Sequence, residues 1–154
     1  MYPVGHVALG YLAGLLASRI TREKFNTPLI WIVSLLPDLD LFIPFLEHRG
    51  PTHSIIVAVI AFTPIILTQK KGYPYLAALA SHSTIGDYFT AYGCKLLWPL
   101  YPGWFKADRR LLLTGKNGIY AEILLFALMS IVLLLKNFHA TTSRSQTNIT
   151  VQNE

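Results

Sequence analysis

Charge and cysteine are what this chain has least of. Only 14% of its 154 residues are Asp, Glu, Lys or Arg, where a soluble domain carries about 25%. Cys94 is its single cysteine. One thiol excludes an intramolecular disulfide framework and a zinc site built of thiolates. The charge is also unevenly spread. Long stretches carry almost none, and the basic residues sit in the gaps between them. A nucleic-acid binder would expose a continuous Lys/Arg stripe. Without one, the net charge of +5 reads as basic loops lying beside lipid headgroups. No nucleic-acid partner is expected. The length suits one compact unit and is short for two.

Hydrophobic residues make up 53% of the chain and fall into five runs, at 4–20, 28–46, 52–68, 75–92 and 119–135. A bilayer core is spanned by about 20 apolar residues. The expected fold is therefore all-α, a polytopic membrane bundle of about five hydrophobic helices over residues 1–137. A polar tail rich in Ser, Thr, Asn and Gln (138–154) is expected to be disordered. The first run has no basic segment ahead of it, which argues for a helix and against a cleaved signal peptide. Its Gly10 and Gly14, continued by Ala17, form a stripe of small residues that lets helices approach closely. His6 lies on the same stripe and should point into the bundle. The fourth run is similarly rich in small residues, from Ala77 to Gly86.

Ionisable residues interrupt these runs. Asp38 and Asp40 sit in LLPDLDLF, His53 opens the third run, His82 and Asp87 lie inside the fourth, and Glu122 lies early in the fifth. Near a bilayer centre each such group costs about 2.5–3.5 kcal/mol even on the mildest scale, so partners are required. In an up-and-down bundle, alternation of direction brings His6, Asp38, Asp40, His48, Arg49, His53, Asp87 and Glu122 toward one membrane face, with His82 somewhat deeper. Imidazoles and carboxylates without thiolates suit zinc, manganese or iron. Two spacings resist this. Asp38 and Asp40 are i, i+2 and point apart on a regular helix, unless Pro37 breaks it. His82 and Asp87 are five apart, about 140° around an α-helix, and a π-bulge would align them.

Four segments carry a resemblance: GHVALG (5–10), LLPDLD (35–40), HRGPTHS (48–54), and SHSTIGDYFTAYG followed by LLWP (81–99). With them the chain resembles the membrane-bound metal-dependent hydrolases of the YdjM-like family, over residues 5 to 99. That family's His and Asp pattern is similar to that of zinc-dependent phospholipase C and related nucleases. The resemblance implies His6, Asp38, His53, His82 and Asp87 as metal-site residues, with His48 and Arg49 flanking. The chain departs from the expected pattern in helix four, where His and Asp should stand four residues apart. Ser83 occupies that position relative to Asp87.

The reading that follows is a membrane-embedded metal-dependent hydrolase acting on a phosphoester or lipid-like substrate, with zinc as the first choice of ion and manganese as the second. Asp38, His53, His82 and Asp87 would hold the metal, joined by His6 unless that histidine faces headgroups. Asp40 is the expected general base, or else a helix-end cap or a partner of Arg49, and Arg49 is expected as a catalytic residue flanking the metal. Glu122 reads as a first-turn acid favoured by the helix dipole. The stretch 95–116, with Trp98, Tyr101, Trp104, Arg109 and Arg110, reads as an interfacial aromatic belt, or as a lid whose arginines contact phosphate. Two non-enzymatic readings compete. A metal or proton carrier would distribute polar groups through the whole depth of the membrane. A structural bundle would use them as interhelical hydrogen bonds. Localisation is expected in the cell membrane, multi-pass, with the short loops favouring a site on the non-cytoplasmic face.

Overall fold

The computed structural model describes residues 1–69 and 71–152, with side chains through residue 138. The fold is all-helical. Its main helices are α1 (Pro3–Thr21), α2 (Thr27–Leu35), α3 (Ile55–Gln69), α4 (Tyr73–Ser81) and α5 (Gly115–Gln152). Among the described residues there is no strand, only an isolated antiparallel bridge between Cys94 and Phe105.

Local chemistry sets the helix ends. Pro3 opens α1 where its missing N–H costs nothing, and Arg22 closes it in the left-handed region at φ 59°. The Asn26 side chain accepts from the Leu29 N–H at 3.0 Å and caps α2. That helix stops after nine residues. Pro37 cannot donate to the helical ladder, and its ring crowds the carbonyl four residues back. The chain tightens into a 3-10 helix over Leu36–Phe42. A second 3-10 turn, Pro51–His53, leads to Ser54. The Ser54 hydroxyl accepts from Ile56 and Val57 N–H groups at the start of α3.

α1 is the central helix. It packs most extensively on α4, then on α2 and α5. Its small residues make this possible, as the stripe reading expected. A Cβ on Gly10 would stand 1.9 Å from the Ser34 hydroxyl, and one on Gly14 would stand 2.3 Å from Ile30 Cδ1 and 3.0 Å from the Pro74 carbonyl. Ala8 and Tyr11 of α1, Ile30 of α2, Ala78 of α4 and Met129 of α5 form the buried apolar core.

Two helical segments, Pro3–Thr21 and Gly115–Phe138, are long and apolar enough to cross a membrane; α3 is apolar and shorter. The runs at 28–46 and 75–92 do not form single α-helices. Each opens in a nine-residue α-helix, α2 or α4, and continues in a differently wound segment, 3-10 after α2 and π after α4. In α5, Leu124 is 70% and Leu134 68% exposed, an uncovered apolar surface of the kind that suits a lipid solvent. α5 continues without a break past residue 138 to Gln152. The side chains of the polar tail lie outside the described residues.

Candidate metal centre

α1 and α5 start, and α2 and α4 finish, at the same end of the bundle. There the 3-10 segment after α2, the turn before α3 and the π segment after α4 meet. Each carries one or two of the ionisable residues. The π segment, His82–Asp87, closes with the Tyr88 N–H donating to the Ser83 carbonyl five residues back. This wider winding brings residues five apart to little more than one turn. His82 and Asp87 therefore share a face, with Nε2 3.3 Å from Oδ2.

Four side chains converge: Asp38, His53, His82 and Asp87, each offering a ligand atom within 4.8 Å of every other. His53 Nε2 lies 3.0 Å from Asp87 Oδ2 and 3.6 Å from Asp38 Oδ1. His82 Nε2 lies 3.4 Å from Asp38 Oδ1. Zinc bonds of about 2.0–2.1 Å at a tetrahedral angle place neighbouring ligand atoms about 3.3–3.4 Å apart. His53, His82 and Asp87 are fully buried, and Asp38 is partly open. The inward-facing His53 Nε2, His82 Nε2 and Asp87 Oδ2 have no hydrogen-bond partner, while Asp87 Oδ1 pairs with Arg49 Nη2 at 3.1 Å. Buried polar atoms are normally partnered, and orphans aimed at one point are what a cation would satisfy. The donor set, two imidazoles and two carboxylates, fits zinc and also manganese or iron.

The outer nitrogens of both imidazoles are engaged. His82 Nδ1 lies 2.6 Å from the Ser34 backbone carbonyl, which can only accept. That nitrogen must carry the proton, so in the neutral ring Nε2 keeps its lone pair facing the cluster. His53 Nδ1 faces Asp40 Oδ2 at 3.4 Å and Thr52 Oγ1 at 3.1 Å. This is the carboxylate–histidine arrangement that orients a ligand and raises its basicity.

Asp38 and Asp40 thus do different things. In a 3-10 helix of three residues per turn, i and i+2 lie about 120° apart. Asp38 turns to the cluster and Asp40 to the loop behind His53. Asp40 accepts from the Arg49 backbone N–H at 2.9 Å and the Thr52 hydroxyl at 2.7 Å, and meets His48 Nδ1 at 2.8 Å. Both its oxygens are occupied and its side chain is fully buried.

His6 and Arg49 border the four. The His6 ring stacks on His82, with centroids 3.6 Å apart and planes 12° apart. Its Nε2 is 3.6 Å from Asp87 Oδ1. Gly86 makes room for it: a Cβ there would meet His6 Cε1 at 2.7 Å. Arg49 has a backbone φ of 62°. Its Nη2 lies 3.1 Å from Asp87 Oδ1, and its Nη1 donates to the Thr90 hydroxyl. Glu122 stands apart from the four, accepting from the Tyr2 N–H at 2.7 Å.

Cys94 is buried near the centre and takes no part in it. Its thiol contacts the Ser83 carbonyl, and burial, reinforced by the Asp87 carboxylate, pushes it up to about 12. The sequence reading missed the Ser34 carbonyl and the hydroxyls of Thr52 and Thr90, and it placed Gly86 only among the small residues of the fourth run. The two threonines and Gly86 lie within or beside the quoted motifs. A backbone carbonyl leaves no mark in sequence.

The sequence model of one protein family, YdjM inner membrane protein, matches residues 1–149. The chain belongs to that family. It is accordingly a membrane protein, with a cluster of Asp and His residues able to bind a metal ion. No curated protein and no solved structure matches it.

Proposed function

We propose that this member of the YdjM inner membrane protein family is a polytopic, membrane-embedded metal-dependent hydrolase acting on a phosphoester. The observation that carries the reading is the set of orphaned, inward-facing atoms on His53, His82 and Asp87, with Asp38 beside them at ligand spacing. Those four residues hold the ion, zinc in the first place and manganese in the second. A divalent ion there supplies Lewis acidity toward a phosphoryl oxygen and lowers the pKa of water. Asp40 and the Ser34 carbonyl orient the two imidazoles from behind. Arg49 neutralises Asp87 and offers a guanidinium to an anionic substrate. His6, stacked on His82, walls the cluster on the α1 side.

A carrier is disfavoured by the buried face of α1. Beyond His6 it presents Ala8, Leu9, Gly10, Tyr11 and Gly14, not a polar path through the bundle. The short α2 and α4 belong to a compact bundle whose irregular segments are buried at the site, where non-helical backbone is tolerated at membrane depth. The site lies on the non-cytoplasmic face.

The test uses p-nitrophenyl phosphate and bis-p-nitrophenyl phosphate with protein purified in detergent. Turnover is expected to disappear on dialysis against a chelator, to return with zinc or manganese, and to be absent in His82→Ala. Turnover indifferent to the chelator, or no turnover of either ester by metal-loaded protein, would contradict the reading.

A further inference from the structure

Two cavities meet at Arg49 and Tyr92. One, of about 290 Å³, is bordered by Thr90, Thr114 and Glu122. The other, of about 370 Å³, is lined by His48, Arg49, Tyr92 and Trp104. None of these last four side chains is acidic. They divide the second cavity into a cationic end and an aromatic end. The Arg49 guanidinium lies 5.7 Å from the Tyr92 ring centre and 3.1 Å from Asp87, so its inner side reaches the four-residue cluster. Tyr92 is 77% and Trp104 46% exposed. These two aromatics open the cavity to the outside. Lys95 stands over the Trp104 ring at 5.5 Å, and its charge is held by Glu47 at 2.5 Å. Arg49 is therefore the cation whose position serves both cavity and cluster.

A soluble phosphate ester would need polar walls around the rest of the molecule. This cavity supplies the two N–H groups of Arg49 that do not already donate to Asp87, Thr90 and His48, and aromatic surface leading away from the cluster. We infer that it takes a phosphate ester carried on a hydrocarbon chain, with the phosphate at Arg49 and the chain laid along Tyr92 and Trp104. Trp and Tyr at an interface suit such an amphiphile, apolar over the ring and wet at one end. The bilayer is then the source of the substrate, which enters between Tyr92 and Trp104. The inference rests on the hydrolase reading for the fate of the ester, and on the cavity alone for its binding.

The test is equilibrium binding of hexadecylphosphonate, whose P–C bond resists hydrolysis, to the purified full-length protein. Methylphosphonate and hexadecanol are the controls. Hexadecylphosphonate should bind at least about tenfold more tightly than either, because it alone engages both ends. Arg49→Gln and Trp104→Ala should each lose about tenfold of that affinity, with helix content unchanged by circular dichroism. Trp104 lies outside the ion cluster, so its variant answers the question even where Arg49→Gln disturbs the fold. Farnesyl phosphonate binding ahead of hexadecylphosphonate would assign an isoprenyl source, and the reverse an acyl lipid. Equal binding of hexadecanol, or an unchanged Trp104→Ala, would overturn the inference. Binding as described without turnover of p-nitrophenyl phosphate would uphold this cavity and remove the hydrolase reading. Turnover without discrimination between hexadecylphosphonate and hexadecanol would do the opposite.

Discussion

His53→Ala is expected to leave the protein folded and strip it of metal. His53 Nε2 stands within 3.6 Å of both carboxylates that would share the ion, and its Nδ1 is steered by Asp40 and Thr52. Deleting the ring removes one of four donors and the end point of the Asp40 contact together. Losing an orienting partner alone lowers metal affinity by about 10–100-fold, and losing the ligand should exceed that. The fold has less to lose. The apolar core of Ala8, Tyr11, Ile30, Ala78 and Met129 does not include His53, and Ser54, which caps α3, is untouched. Elemental analysis of purified protein should show a stoichiometric divalent ion in the native chain and background in the variant, at equal helix content. Retention of the ion by His53→Ala would take this histidine out of the centre.

Asp87→Ala is expected to do more harm, because Asp87 serves charge as well as metal. It is fully buried beside Arg49, His6, His53 and His82. Its removal leaves the Arg49 guanidinium, itself only 13% exposed, without its carboxylate. Breaking a buried pair from one side costs about 3–5 kcal/mol. Asp38, 23% exposed and contacting the two imidazoles, has no such cation beside it. Asp38→Ala and Asp87→Ala should both lose the metal, but only Asp87→Ala should lower the thermal midpoint of the metal-free protein markedly. Equal midpoints for the two metal-free variants would show that Arg49 does not depend on Asp87.

Much of the centre was legible because alternation of helix direction is a strong constraint. Asp38, His53, His82 and Asp87 come from three separate runs, and the ends of those runs must meet. The two spacing conflicts were also informative. Asp38 and Asp40 could not share an α-helical face, and Pro37 marked where the winding changes. His82 and Asp87 could be aligned by a π turn, and one is present. The sequence could not show which way each irregular segment turns. That choice sends Asp40 behind His53 and into the contacts of His48, Arg49 and Thr52. The lengths of α2 and α4 were equally hidden, because hydropathy continues through the 3-10 and π segments while the α-helix does not. The Ser34 carbonyl that selects the His82 tautomer depends on α2 and α4 lying side by side, which no local pattern encodes.

The most direct measurement is X-ray absorption at the zinc edge of the zinc-loaded protein, compared with His82→Ala. The account predicts a low-coordinate site with nitrogen and oxygen neighbours at about 2.0–2.1 Å, two imidazoles in the outer-shell scattering, and one imidazole fewer in the variant. Scattering from oxygen alone, or a spectrum identical in His82→Ala, would contradict it: the ion would lie elsewhere, and the buried histidines and aspartates would be an ion-pair network that holds the helices together.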